Sequence, residues 1–374
     1  MVVRQIPEAI LFPLQRGTGI QTIRSFLISL TIGVALLLCL EMAIRLLWPQ
    51  LIVTTQVSGS SLGLRDDVLG HRYRPNAYAT DVGPEYEVEY KINEDGMRDE
   101  SDHFSADSAS ATRILLLGDS FTFGQGVNYE HIWPVILEQR LRAKGHHVDV
   151  VKAGVQGYST WQQVLLLEQL LPKYNPDFVF LVFLPNDLFP SAPIGQARTR
   201  GESAQSNGGI SFARSHSRFH SVELFKRILI SSDYLYTRLY LLRPWPEYFT
   251  RPESPRLQSK IEEAKELILK ARSHSESCGA TFLVLSIPQQ FQVLVKANDY
   301  EIGNIDVDLI DDRLSEFARD RQITWIQTLD LLATVYRSEG ESLFFRSDGH
   351  LTEKGNLLVA DHFLKEFNQR LFQN

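Results

Sequence analysis

Two short stretches, far apart in the chain, hold the residue types of a nucleophile, a base and an orienting acid. In RILLLGDSFTFGQGV, residues 113–127, the apolar run Ile114 to Leu117 ends on Gly118, where the chain can turn, and Ser120 follows at the mouth of the next segment. A strand that ends this way puts a hydroxyl at a sheet edge beside the amides of an incoming helical turn, which is a nucleophile position. Serine needs a base, and the base needs a carboxylate to orient it. FFRSDGHLTEKGNLLVA, residues 344–360, supplies both in one loop: His350 to take the proton of Ser120, and Asp348 to hold the imidazole in the right tautomer. The same loop also reads as a helix entrance with Thr352 or Asp348 as N-cap, and Gly-Asp-Ser alone arises easily by composition. Two more stretches add hydrogen-bond donors. Gly154 in VVKAGVQGYST offers its backbone N–H and Asn186 in FLPNDLF its side-chain amide. With the Ser120 N–H, three donors would converge on one oxyanion.

Other constellations are weaker. His216 and His220 have metal-ligand spacing on a helix, but they sit in a polar stretch with no third ligand, so no metal is expected. GQGVNYE lacks the third glycine of a dinucleotide loop, and no cofactor is expected. The Tyr/Leu stripe at 234–242 reads as lid or core packing.

The elements that must position these residues follow from the hydrophobic pattern. Beyond Arg113, strands are expected at 114–117, 147–154, 176–187, 280–288 and 323–329, and helices at 133–143, 160–171, 260–275, 308–321 and 353–371. Strands apolar on both faces and separated by helices build a parallel sheet covered on each side, here five-stranded. Function in such sheets sits at the carboxyl ends of the strands. Residues 188–258 interrupt the alternation with a Ser/Gly/Arg-rich run and an amphipathic helix over 221–242, and so long a connection is expected to be a lid-like insertion. Its Arg214, Arg218, Tyr234 and Tyr240 suit a sugar chain. Ahead of the core, residues 50–112 read as a β-rich lead-in and linker, with a strand at 86–92 and a turn at 93–96.

Residues 26–48 are apolar except for Glu41 and Arg45, which lie on one helical face and can pair, and the run is long enough to span a bilayer. Arg4, Arg16 and Arg24 precede it, whereas no basic residue follows Trp48 until Arg65. The positive-inside rule then puts residues 1–25 in the cytoplasm and the domain at 113–374 in the periplasm or outside, held by a single inner-membrane anchor. No small-x-small cleavage site follows the run, and Leu38 is too bulky before Cys39 for a lipoprotein site. Cys39 and Cys278 are the only cysteines and are placed too far apart for an expected disulfide. A net charge of -7 with scattered Lys and Arg argues against nucleic acid as a partner.

The ordered blocks, Ser120 in GDSFT, Gly154 in KAGVQGYST, Asn186 in PND and His350 in DGH, resemble the SGNH (GDSL-type) hydrolase family over about residues 113–371. The lead-in, with LGHRYRPN and INEDGMRDE, is similar to the membrane-anchored bacterial members. The resemblance implies a flavodoxin-like three-layer α/β/α sandwich and ester chemistry through an acyl-serine without a metal. Two positions depart from the pattern. Leu184 stands where a glycine is expected, and Ser347 occupies the usual place of the acid, three residues before His350, with Asp348 two before. The Asp-x-His spacing also occurs in the related alginate O-acetylation proteins. The expected function is therefore hydrolysis of an O-acyl ester, acetyl foremost, on a cell-envelope glycan or lipid. The alternatives are an O-acyltransferase acting on an exported polysaccharide and a non-catalytic envelope-assembly or glycan-binding protein, which the complete residue set disfavours.

Overall fold

The computed structural model describes residues 18–50, 62–101, 103–104, 110–189, 219–242 and 245–371. The chain divides into two compact units, one of residues 1–51 with 217–224, the other of residues 52–216 with 225–374.

The first unit is dominated by α1, Thr18–Leu47, whose stretch Gln21–Leu47 contains an 18-residue window with a mean hydropathy of 2.4 and is long and apolar enough to cross a membrane. The expected pair forms, with Arg45 Nε donating to Glu41 at 2.6 Å. Glu41 also accepts from the backbone N–H groups of His220 and Ser221, each at 2.9 Å, and from the Ser221 hydroxyl at 2.7 Å. A carboxylate on an apolar helix is costly unless its lone pairs are filled, and here four donors fill them while Glu41 caps the helix that starts at His220. His220 Nδ1 accepts from the Gln50 N–H at 2.8 Å, and its spacing partner His216 lies outside the described residues.

In the second unit, β1 (Gly63–Asp66) pairs with β2 (Gly70–Tyr73), and β3 (Tyr78–Val82) with β4 (Glu87–Lys91), as two antiparallel hairpins. The five-stranded sheet follows: β5 (Thr112–Gly118), β6 (Val148–Gly154), β7 (Phe178–Phe183), β8 (Thr281–Ser286) and β9 (Thr324–Gln327), all parallel, in the order β6-β5-β7-β8-β9. Its first strand is flanked by the second and the third, the flavodoxin-like order, and the crevice of such a sheet opens at the carboxyl ends of that first and third pair. Those ends are Gly118, just before Ser120, and Phe183, just before Asn186. Ile114 to Leu117 and Val179 to Phe183 are fully buried, because helices cover both faces.

The helices that follow in chain order are α2 (Ser120–Phe123), α3 (Trp133–Ala143), α4 (Thr160–Tyr174), α5 (His220–Ser231), α6 (Asp233–Leu241), α7 (Pro255–Ser277), α8 (Gln290–Ala297), α9 (Leu309–Asp320), α10 (Leu329–Glu339) and α11 (Glu353–Leu371). The single helix expected over 221–242 is two, broken at Ser232, whose side chain caps α6 by accepting from the Leu235 N–H. Short α8 and α10 lay hidden in sequence because each directly follows a strand and continues its apolar run. Tyr236 and Tyr240 of α6, with Tyr248 and Phe249, belong to the main core.

The lead-in is bound into the sheet by buried charges. Lys152 in β6 donates to Asp99 at 3.1 Å and pairs with Glu138 at 2.8 Å. His103 sits between Asp149, at 2.6 Å, and Asp99, at 3.0 Å. Burial opposes a charged imidazole, but the hydrogen bonds and charges of Asp149 and Asp99 outweigh it and hold His103 up at about 9.

Candidate active site

Ser120 opens α2 at the end of β5, and the local sequence allows nothing bulkier around it. A Cβ on Gly118 would lie 2.0 Å from Thr122 Oγ1, and one on Gly154 would lie 2.4 Å from the Phe123 nitrogen and 2.7 Å from the Thr122 carbonyl carbon. The first turn of α2 thus rests directly on the ends of β5 and β6, which only two glycines permit. Asp119 caps that turn, its carboxylate accepting from the Phe121 N–H at 2.9 Å. Arg98 closes the far end: Nη1 donates to the carbonyls of Phe123 (3.0 Å) and Gly124 (2.8 Å), and Nη2 to that of Val127 (2.7 Å).

The C-terminal loop brings His350 to Ser120. His350 Nε2 lies 2.7 Å from Ser120 Oγ, and His350 Nδ1 is hydrogen-bonded to Asp348 Oδ1. Asp348 Oδ2 accepts from the Tyr86 hydroxyl at 3.2 Å and from Gln125 Nε2 at 3.3 Å. Of the two residues the sequence offered as a helix cap, Thr352 takes that place. Thr352 Oγ1 accepts from the Gly355 N–H at the start of α11, and Asp348 turns to the imidazole. Ser347, at the usual place of the acid, donates its N–H at 2.7 Å and its hydroxyl to Glu85. All three residues of the Ser120, His350 and Asp348 line are buried, Ser120 only 3% exposed.

Asn186 is fixed from both ends. Its Oδ1 accepts from Gln289 Nε2 at 3.3 Å, Gln289 Oε1 accepts from the Tyr240 hydroxyl at 2.7 Å, and its amide donates toward Asp119. Burial pushes the Asp119 carboxyl up, with the Phe121 amide, the His350 charge and the Asn186 amide working against it. Burial and then the Asp119 charge push Asp187 up further. Leu184, in place of the expected glycine, is fully buried, and its N–H donates to Asp187 Oδ2 at 3.2 Å.

Tyr240 does not offer a face to sugar: it is buried, with its ring stacked 4.1 Å from that of Phe291. Tyr234 remains exposed, and Arg214 and Arg218 lie outside the described residues. Sequence reasoning missed Glu85, Tyr86, Gln125 and Gln289. They are ordinary polar residues whose partners exist only through contact, and Arg98, inside the stretch INEDGMRDE that the sequence offered only as a resemblance, was not singled out either.

The model of the GDSL-like lipase/acylhydrolase family matches residues 116–358, from within β5 to within α11. The chain belongs to this family. Among curated relatives it is 34% identical over 83 residues to an arylesterase of Vibrio mimicus, covering 22% of this chain and 42% of that one. It is 30% identical over 80 residues to thioesterase 1/protease 1/lysophospholipase L1 of Escherichia coli K12, covering 21% and 37%. The chain thus spans about two fifths of the length of these relatives. Among solved structures, the acetyl xylan esterase AlAXEase is similar at a TM-score of 0.42 and 14% identity, over 68% of this chain and 98% of that one.

Proposed function

We propose that this family member is a serine ester hydrolase held at the inner membrane by residues 26–48, with its N-terminus inside and the domain at 113–374 outside. Its substrate is an O-acyl ester, acetyl foremost, of a cell-envelope glycan or lipid. His350 Nε2 takes the Ser120 proton as Oγ bonds to the acyl carbon. The negative charge that develops on the carbonyl oxygen is met by the N–H groups of Ser120 and Gly154 and by the Asn186 amide. Protonated His350, steadied by Asp348, returns the proton to the departing alcohol, leaving an acyl-Ser120. Water, deprotonated by His350, attacks this acyl group, and the acid leaves as Ser120 recovers its proton.

The observation that carries the reading is the 2.7 Å contact between His350 Nε2 and Ser120 Oγ in an imidazole whose other nitrogen is bound by Asp348. The arylesterase and thioesterase relatives support hydrolysis over transfer. The test is turnover of p-nitrophenyl acetate and labelling by a fluorophosphonate probe. Ser120→Ala should abolish labelling and reduce turnover by about 10³-fold or more, since the donors remain but the covalent path is gone. Undiminished turnover in that variant overturns the assignment. Acetyl-transfer to an added oligosaccharide at the expense of free acetate would put the acyltransferase in its place.

A further inference from the structure

We propose that the β3–β4 hairpin, through Glu85 and Tyr86 in its loop, positions the acid and base of the site, so that a segment ahead of the hydrolase core is part of its catalytic apparatus. The proposal rests on the reading of Ser120, His350 and Asp348 given above. The register of the hairpin, Tyr78 opposite Lys91 and Val82 opposite Glu87, leaves residues 83–86 at its tip.

That tip grips the loop carrying Asp348 at two levels. Glu85 accepts from the backbone N–H groups of Arg346 at 3.0 Å and Ser347 at 2.7 Å, and from the Ser347 hydroxyl, so the backbone just before Asp348 is fixed by one carboxylate. Tyr86 packs its ring against Phe345, centroids 5.0 Å apart and planes tilted by 55°, and points its hydroxyl at Asp348 Oδ2. Burial, with the charges of Asp348 and Asp81, pushes the Tyr86 phenol far above its usual range, so it stays a donor.

This answers a geometric need of the Asp-x-His spacing. Asp348 must present Oδ1 to His350 Nδ1 across a turn of one intervening residue, in which the Gly349 N–H donates back to the Phe345 carbonyl at 2.7 Å. A carboxylate held through one oxygen still swings about its own axis. With Oδ2 held by Tyr86 from the hairpin and by Gln125 from the nucleophile side, its plane is set. The departure at Ser347 fits the same scheme: the residue standing where the acid is usual carries the grip of Glu85 instead. Tyr86 and Glu85 are positioning residues, since neither touches Ser120.

The experiment uses the full chain in detergent or nanodiscs. Tyr86→Phe keeps the ring against Phe345 and deletes the hydroxyl, and with it the hydrogen bond to Asp348 and the one toward Asp81, so kcat for p-nitrophenyl acetate should fall about tenfold with KM unchanged. Glu85→Gln should also lower kcat, about threefold to tenfold, by loosening Arg346 and Ser347. The readout that a merely structural role would not move is the strongly deshielded proton of the His350 Nδ1–Asp348 hydrogen bond in the NMR spectrum of histidine-labelled protein. It should shift or broaden in Tyr86→Phe at an unchanged melting temperature. The proposal is overturned if both variants keep wild-type kcat, if the proton signal is the same in Tyr86→Phe, or if kcat falls only in step with the melting temperature. If the wild type turns over no ester, the serine hydrolase reading fails by itself, and the proton signal still decides whether Tyr86 sets the geometry of the pair.

Discussion

Replacing Arg98 with methionine should loosen the turn that carries Ser120 from its far end. The guanidinium gives three hydrogen bonds to the carbonyls of Phe123, Gly124 and Val127, and it lies 4.7 Å from the Tyr90 ring centre and 5.2 Å from that of Phe123. Hydrogen bonds from a charged donor are worth roughly 1.5–3 kcal/mol each, and the two ring contacts about 1 kcal/mol more. A simple sum overshoots, because the three bonds share one side chain, the methionine recovers the buried stem, and the cost of desolvating the guanidinium disappears. The net loss expected is about 3 kcal/mol. At roughly 2–4 °C per kcal/mol for a domain of this size class, the melting temperature should drop by about 6–12 °C. The second consequence is local. With the carbonyls at the end of α2 released, Ser120 Oγ no longer holds its 2.7 Å contact with His350, and kcat measured well below the melting temperature should fall about tenfold or more. Arg98→Lys, which keeps the charge but not the fork, should lie between the two. Calorimetry and p-nitrophenyl acetate kinetics on the purified chain give both numbers. A melting temperature within about 2 °C of wild type, or an unchanged kcat, would refute the argument that Arg98 holds this turn.

Asp348→Asn should fold normally and lose about 10³–10⁴-fold in kcat at neutral pH, because the imidazole loses its tautomer lock and the charge that steadies its protonated form; a neutral result, with Ser347→Ala damaging instead, would move the acid elsewhere. Gln289→Leu removes one of the two hydrogen bonds that fix Asn186, leaving only the one toward Asp119, and leaves the Tyr240 hydroxyl without its acceptor, so kcat should fall about tenfold, with a smaller loss in Tyr240→Phe; wild-type kcat in both would show that Asn186 needs no such support. His103, held up at about 9 between Asp99 and Asp149, binds its proton more tightly folded than unfolded, so its stabilisation is complete below about pH 6.5 and is lost as pH rises through about 9. The stability gap between wild type and His103→Gln, measured by urea unfolding, should therefore be largest near pH 6, on the order of 3 kcal/mol, and shrink by pH 10. A gap independent of pH would remove the charged imidazole from that network.

Much of the fold was legible along the chain. Strands such as Leu115 to Leu117 and Val179 to Phe183 are apolar at every position because both faces of the sheet are covered, and that requirement is written into composition and period. The N-terminal apolar helix was equally plain, since uninterrupted hydrophobicity is local. Ser120, Gly154, Asn186, Asp348 and His350 could be singled out because turns, glycines and strand ends constrain residue type within a few positions. What the sequence did not carry was partnership. The break at Ser232, the burial of Tyr240, the capture of His220 and Ser221 by Glu41, and the grip of Glu85 and Tyr86 on the loop before His350 all join residues through space. Glu41 and Ser221 lie 180 positions apart, and Tyr86 and Asp348 lie 262 apart. A carboxylate or a phenol looks the same in sequence whether it faces solvent or the loop of Asp348 and His350. Its partner is chosen by packing around the whole core, so only the tertiary structure decided which polar residues far apart in the chain meet around Ser120, Asn186 and His350.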